Sequence, residues 1–269
     1  MSGATRVFYV KRAGLFFFAT VLVAAHGWAN GPKKAAPKKV TGPKYAHYVK
    51  SWHTPVPNKP PPADASGRPM LALVSLNTSD RLEMSATSPL GGFGATQLDR
   101  AAYVLREAHS DNEHPIEPRL LDVVYQIQTH FAAQEVRIVS AYRTPHRSTS
   151  NHGRGRAIDL VVPGVSDEDV AKFARELGFV GVGVYPTSGF VHIDVRERSY
   201  FWVDASGPGA RNRERGILGD LAKKSDAQAL ARGDKPVAPF LVALDVDAAI
   251  RAHASASPAS ATEEDEDID

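Results

Sequence analysis

The sequence predicts an α+β domain: a small, mainly antiparallel sheet with helices packed on one side. Three observations predict it. Two amphipathic helical stripes come before most of the β-rich runs. The β-rich runs at 136–142, 158–162, 180–185 and 190–195 then follow with a single helix inserted among them. The last two runs are joined by a short turn rather than by a helical crossover. A doubly wound parallel sheet needs strand and helix to alternate throughout, and this order does not.

The first β-rich run is Met70 to Asn77, where apolar residues on both alternating sets predict a strand partly buried on both faces. Thr96 and Asp99 have capping-box spacing, and Leu98, Ala101, Ala102 and Leu105 follow at helical intervals. Pro118 suits a first helical position, and Leu120, Val124, Ile127 and Phe131 make the next stripe. Val136–Tyr142 and Ile158–Val162 read as strands. Ser166 and Asp169 cap a helix carrying Val170, Phe173, Ala174 and Leu177, closed by Gly178. Val180–Tyr185 and Phe190–Val195 form a hairpin across Pro186-Thr187-Ser188-Gly189, a turn of the expected chemistry. After Gly207 the pattern weakens. Residues 207–253 read as an extension with faint helical periodicity, and 254–269 as a disordered tail that is Ala/Ser-rich and then acidic.

The N-terminus reads as an export signal over residues 1–29. Arg6, Lys11 and Arg12 precede a short apolar run, Gly14–Ala25, and Gly27 and Ala29 place small residues where a signal peptidase reads. That run falls short of the roughly 20 apolar residues of a membrane span, so contact with a membrane is expected only through an uncleaved signal. Residues 30–68 are rich in Pro and Lys and read as an extended tether, since proline at that density opposes helix and sheet. The folded domain is placed at 69–206, exported to the periplasm or cell envelope.

A formal net charge of +2 gives no overall field of the kind nucleic-acid binding requires. The chain has no cysteine, which excludes disulfides, thiolate metal sites and thiol nucleophiles. Any metal site must therefore come from His, Asp and Glu. The informative stretch is Ser150–Asp159. His152 lies in a loop with glycines at 153 and 155, which let it fold back, and Asp159 lies in the strand that follows. Imidazole plus carboxylate suits zinc, and a catalytic zinc needs a third protein ligand and an open position. His192 is the third candidate. It shares a strand face with Asp194, while Val191 and Ile193 face the other way. His26, His47, His53, His109, His114, His130, His146 and His253 have no comparable setting.

Ser150-x-His152-x-x-Gly155-x-Ala157-x-Asp159 matches the first zinc motif of the D-alanyl-D-alanine peptidase and hedgehog-like metallopeptidases. Ser140-Ala141-Tyr142-Arg143 resembles their upstream Ser-Gly-Tyr-Arg segment. Gly181–Pro186, Phe190–Asp194 and His114–Asp122 are similar to segments of the YcbK-like murein endopeptidase branch, and the resemblance covers about residues 70–205. It implies that branch's fold and makes His152, Asp159 and His192 the ligands of Zn2+. It also implies that Arg143 binds or polarises a substrate drawn from peptidoglycan stem peptides or cross-links. The implied activity is a cross-link endopeptidase; the alternatives are a carboxypeptidase acting on a terminal D-residue and a wall-binding protein without catalysis. Relatives in the wider group carry a catalytic Glu three residues before the last ligand. Here that position is Gly189, as it lacks Glu in the YcbK-like branch too. Asp194 is the nearest acid, either as the base or as a partner orienting His192. Ala141 stands where glycine is usual, and Pro145–Ser150 is shorter than the corresponding loop of many murein endopeptidases.

Overall fold

The computed structural model describes residues 42–144, 150–208, 210 and 214–238. The expected export signal at 1–29, the start of the Pro/Lys-rich stretch, residues 145–149 and the expected disordered tail at 254–269 lie outside the described residues. Among the described residues one mixed sheet runs in the order β2-β1-β3-β4-β6-β5-β7-β8. Its strands are β1 (Met70–Ser75), β2 (Arg81–Ser85), β3 (Val136–Ser140), β4 (Ala157–Val161), β5 (Val180–Tyr185), β6 (Phe190–Val195), β7 (Tyr200–Asp204) and β8 (Glu214–Ile217). The pairings β1–β3 and β5–β7 are parallel and the others antiparallel. The α+β class and the antiparallel bias agree with expectation, but the sheet is larger than the small one predicted. Each parallel pair joins strands that have another strand between them in sequence, which a hairpin signal does not reveal.

The helices are α1 (Pro43–His53), α2 (Ala95–Val104), α3 (Pro118–His130), α4 (Asp167–Ala174) and α5 (Gly219–Ala231). Apolar faces of α2, α3 and α4 join Leu71, Leu73, Ile158, Leu160, Val191 and Ile193 in one core. Both residue sets of β1 are buried, as its pattern predicts. Because β3 pairs only with the later part of β1, the early edge of β1 needs another partner. The buried Gln128 side chain on α3 supplies it, accepting from Ala72 N at 2.8 Å and donating to Met70 O at 3.0 Å. This keeps buried backbone groups from going unpaired. The cap of α4 is the predicted one, with Ser166 Oγ accepting from Asp169 N. The start of α2 lies earlier than its predicted cap: Gly94 precedes the helix, and its N–H donates to the Gln97 side chain.

Two segments depart from the reading of the termini. Residues 43–53, inside the Pro/Lys-rich stretch, are helical because Pro43 occupies the first turn and no proline intervenes before Pro55. This α1 is fastened down. Tyr45 donates its hydroxyl hydrogen to Ser188 O at 2.7 Å, and Arg137 Nη1 donates to the carbonyls of Ser51, Trp52 and Thr54 at the helix C-terminus. Arg137 is itself held by the buried Glu135, which also binds Lys59 and Arg81. Beyond residue 207, β8 extends the sheet and α5 docks through Ala222, Ser225 and Ala229. The Asp226 carboxylate accepts from Phe179 N at 2.7 Å and Ser199 N at 2.9 Å. No helix among the described residues is long and apolar enough to cross a membrane.

Candidate metal centre

The site grows from strand alternation. On β4, Ile158 and Leu160 enter the core and Asp159 faces the opposite side; on β6, Val191 and Ile193 enter the core and His192 and Asp194 face away. Cross-strand register does the rest. Asp159 pairs with His192, which pairs with Gly183, which pairs with Trp202, so one row across four strands carries the chemistry.

His152 comes from the loop before β4. Residues 152–154 make a single 3₁₀ turn, ended by Gly155 in the left-handed conformation at φ +64°. Its carbonyl accepts from Glu117 N, and Arg156 N returns to Asn151 O, both at 2.9 Å. A Cβ at Gly155 would overlap the Pro115 carbonyl oxygen. Gly155→Ala therefore meets both a disfavoured φ and a backbone clash. A loss of about 2–5 kcal/mol is expected from left-handed strain and overpacking together. Urea denaturation measures it, and weakened metal binding should accompany it because His152 is displaced.

Three donor atoms converge. His192 Nδ1 lies 2.8 Å and His152 Nε2 3.4 Å from Asp159 Oδ1, and the two nitrogens are 3.2 Å apart. Tetrahedral zinc with bonds of about 2.0–2.1 Å spaces its ligand atoms about 3.3 Å apart, so the triangle has the right edge. Each imidazole also has its other nitrogen engaged. His152 Nδ1 donates to Ala141 O at 2.6 Å, and His192 Nε2 to Asp194 Oδ2 at 3.0 Å. Such outer partners set the tautomer and ring plane of a metal-binding histidine. Among the described residues, this is the group of His and acidic side chains whose donor atoms lie within 4.8 Å of one another.

The electrostatics suit a cation. Burial alone would raise the Asp159 carboxyl, but His152 and His192 hold it well below the usual carboxylate range. Burial likewise opposes charge on His192, yet hydrogen bonds with Asp159 and Asp194 push its pKa up to about 9. His152 goes the other way, its pKa lowered chiefly by burial. Arg196 offsets Asp194, and Arg143 reaches Asp159 Oδ2 only at 3.5 Å from the exposed side, so a proton on His192 or a metal is the close partner for the Asp159 charge. His, His and Asp form a donor set that fits zinc and leaves a coordination position over.

Two glycines within the Gly181–Pro186 segment make room for this arrangement, a role that the sequence does not state. A Cβ at Gly181 would collide with Asp194 Oδ2 and the Arg196 guanidinium, and one at Gly183 with the Trp202 indole. The absent side chain at Gly183 lets Trp202 approach His192, with ring centroids 5.1 Å apart. Trp202 Nε1 donates to the Tyr185 hydroxyl at 3.2 Å. Arg143 is half exposed, with Nη2 3.5 Å from Asp159 Oδ2. Asp194 is fully buried, with both oxygens occupied by Arg196 and His192. Gly189 has φ +69°, and a Cβ there would overlap the Val49 side chain on α1. The space where a side chain at 189 would begin is thus filled by α1 of this chain. His114 stacks on Tyr142, and His130 on Phe173.

Residues 63–200 match the family model described as peptidoglycan L,D-endopeptidase MepK. The chain is 30% identical over 139 residues to a probable peptidoglycan L,D-endopeptidase MepK of Haemophilus influenzae, covering 46% of this chain and 74% of that one. It is 28% identical over 138 residues to the peptidoglycan L,D-endopeptidase MepK of Escherichia coli K12, covering 46% and 75%. No solved structure matches the chain.

Proposed function

The chain belongs to the peptidoglycan L,D-endopeptidase MepK family, and from that premise we propose that it is a zinc-dependent endopeptidase hydrolysing peptide cross-links of peptidoglycan. The observation that carries the zinc part is the convergence of His152 Nε2, Asp159 Oδ1 and His192 Nδ1 inside the matched region. The chemistry that zinc supplies when bound is Lewis acidity, which activates water near neutral pH and polarises a carbonyl. The protein's part is to hold three ligands in a fixed triangle and to present a cation beside them. Arg143, exposed at the rim and close to Asp159, is placed to bind a substrate carboxylate or the negative charge developing on the scissile carbonyl.

Of the two roles open to Asp194, its contacts favour orientation of His192. Its oxygens are committed to Arg196 and to the His192 nitrogen that faces away from Asp159. The basic and then apolar segment at 1–29 supports delivery to the periplasm or cell envelope, where the substrate resides.

The test is to incubate the purified chain with isolated sacculi and separate the soluble muropeptides. With zinc, cross-linked dimers should disappear; with a chelator, or with His152→Ala, they should persist. Shortened monomers with intact dimers would instead identify a carboxypeptidase. A zinc-loaded wild type that cuts no muropeptide would leave only wall binding.

A further inference from the structure

Arg196 touches none of the three converging donor atoms, yet it is bound into the site more completely than any surface arginine needs to be. Its Nε donates to Asp194 Oδ1 at 2.6 Å and its Nη2 to Asp194 Oδ2, which also accepts from His192 Nε2 at 3.0 Å. Its backbone N–H donates to Phe179 O at 2.9 Å, fixing the main chain just past β6. The guanidinium carbon lies 5.6 Å from the centroids of both the Tyr200 and Trp202 rings, and Trp202 in turn packs on His192. Gly181 supplies the space, since a side chain there would displace both Asp194 and Arg196.

A carboxylate that orients an imidazole must itself be kept from rotating. The guanidinium fork does this because its two parallel N–H bonds define the carboxylate plane as well as its position. We propose that Arg196 is a positioning residue for the metal centre: by holding both oxygens of Asp194 it fixes the ring of His192 and keeps Nδ1 turned towards Asp159 and His152. This rests on the metal reading above. Arg196 contributes no ligand; its effect passes through Asp194.

The test uses the full chain and two readouts: zinc affinity by competition with a chromophoric chelator, and the absorption spectrum of the cobalt(II)-substituted protein. Arg196→Gln should weaken zinc binding by roughly 10–100-fold, the range for losing an outer partner of a metal-binding histidine, and should alter the cobalt bands. Arg196→Lys should recover only part of the affinity, because an ammonium restores charge without the fork. Asp194→Asn combined with Arg196→Gln should bind zinc as Asp194→Asn does alone, since the two residues act in series. That comparison also stands if Arg196→Gln by itself fails to fold around an unpaired buried carboxylate. Unchanged affinity and spectrum in Arg196→Gln, or a double variant weaker than Asp194→Asn alone, would overturn the proposal. A wild type that binds neither ion overturns the metal reading, and this inference with it.

Discussion

Asp159→Asn is expected to cost the protein its metal and its hydrolysis of muropeptides while leaving the fold in place. The substitution nearly conserves volume, on a strand whose neighbours Ile158 and Leu160 face the opposite side, so packing gives little reason for collapse. What changes is charge. Asp159 Oδ1 is the atom shared by both histidines, at 2.8 and 3.4 Å, and an amide in its place offers a neutral oxygen or a competing N–H. Zinc affinity should fall at least as far as the roughly 10–100-fold caused by losing an outer partner, because a ligand itself is lost. Chelator competition measures it, with circular dichroism confirming the fold.

The same substitution has a pH signature in chelator. The His192 pKa is raised to about 9, so its contribution to stability is complete below the unfolded value of about 6.5 and is lost as pH rises towards 9. Asp159→Asn removes one of the two carboxylates responsible and should flatten that decline. Metal binding by the wild type is expected to have the opposite slope, since the imidazole must shed its proton to ligate. An Asp159→Asn protein that binds zinc as tightly as wild type would show that this carboxylate is not a ligand.

The three converging side chains were legible in the sequence because a strand writes its two faces in alternate letters. Val191-His192-Ile193-Asp194 places two costly polar groups on one face of an otherwise apolar strand, and the glycine loop before Asp159 accounts for His152. What could not be read was everything set by long-range register. Gly183 matters because β5 places it between His192 and Trp202, and nothing local to Gly183 states that. Arg196 looks like one charge in the run Arg196-Glu197-Arg198 until its contact with Asp194 is seen. Helix α5 was faint for a different reason. It packs through Ala222, Ser225 and Ala229, small residues that leave almost no hydrophobic stripe. In α1 the proline-rich composition of the whole stretch hid a proline-free interior between Pro43 and Pro55.

Arg143→Ala is expected to lower kcat by about 10²–10³-fold, the cost of deleting one donor to a developing oxyanion, with KM and zinc affinity little changed. The geometry separates this residue from the three converging side chains. Its side chain is 53% exposed and only grazes Asp159 Oδ2 at 3.5 Å, so its removal opens no core cavity and leaves the donor triangle intact. It also follows Ala141, whose carbonyl holds His152, by two residues, so the segment that orients His152 also presents the cation beside the candidate metal site. Arg143→Lys should restore only a minority of the rate, because a point charge lacks the planar fork. The distribution between kcat and KM decides what the guanidinium does. A fall in kcat alone means it acts on charge present only in the transition state. A rise in KM with kcat unchanged means equal binding of ground and transition states, as expected if it grips a carboxylate already present on the substrate. Steady-state kinetics on a purified cross-linked muropeptide, with zinc content checked for each variant, distinguishes the two.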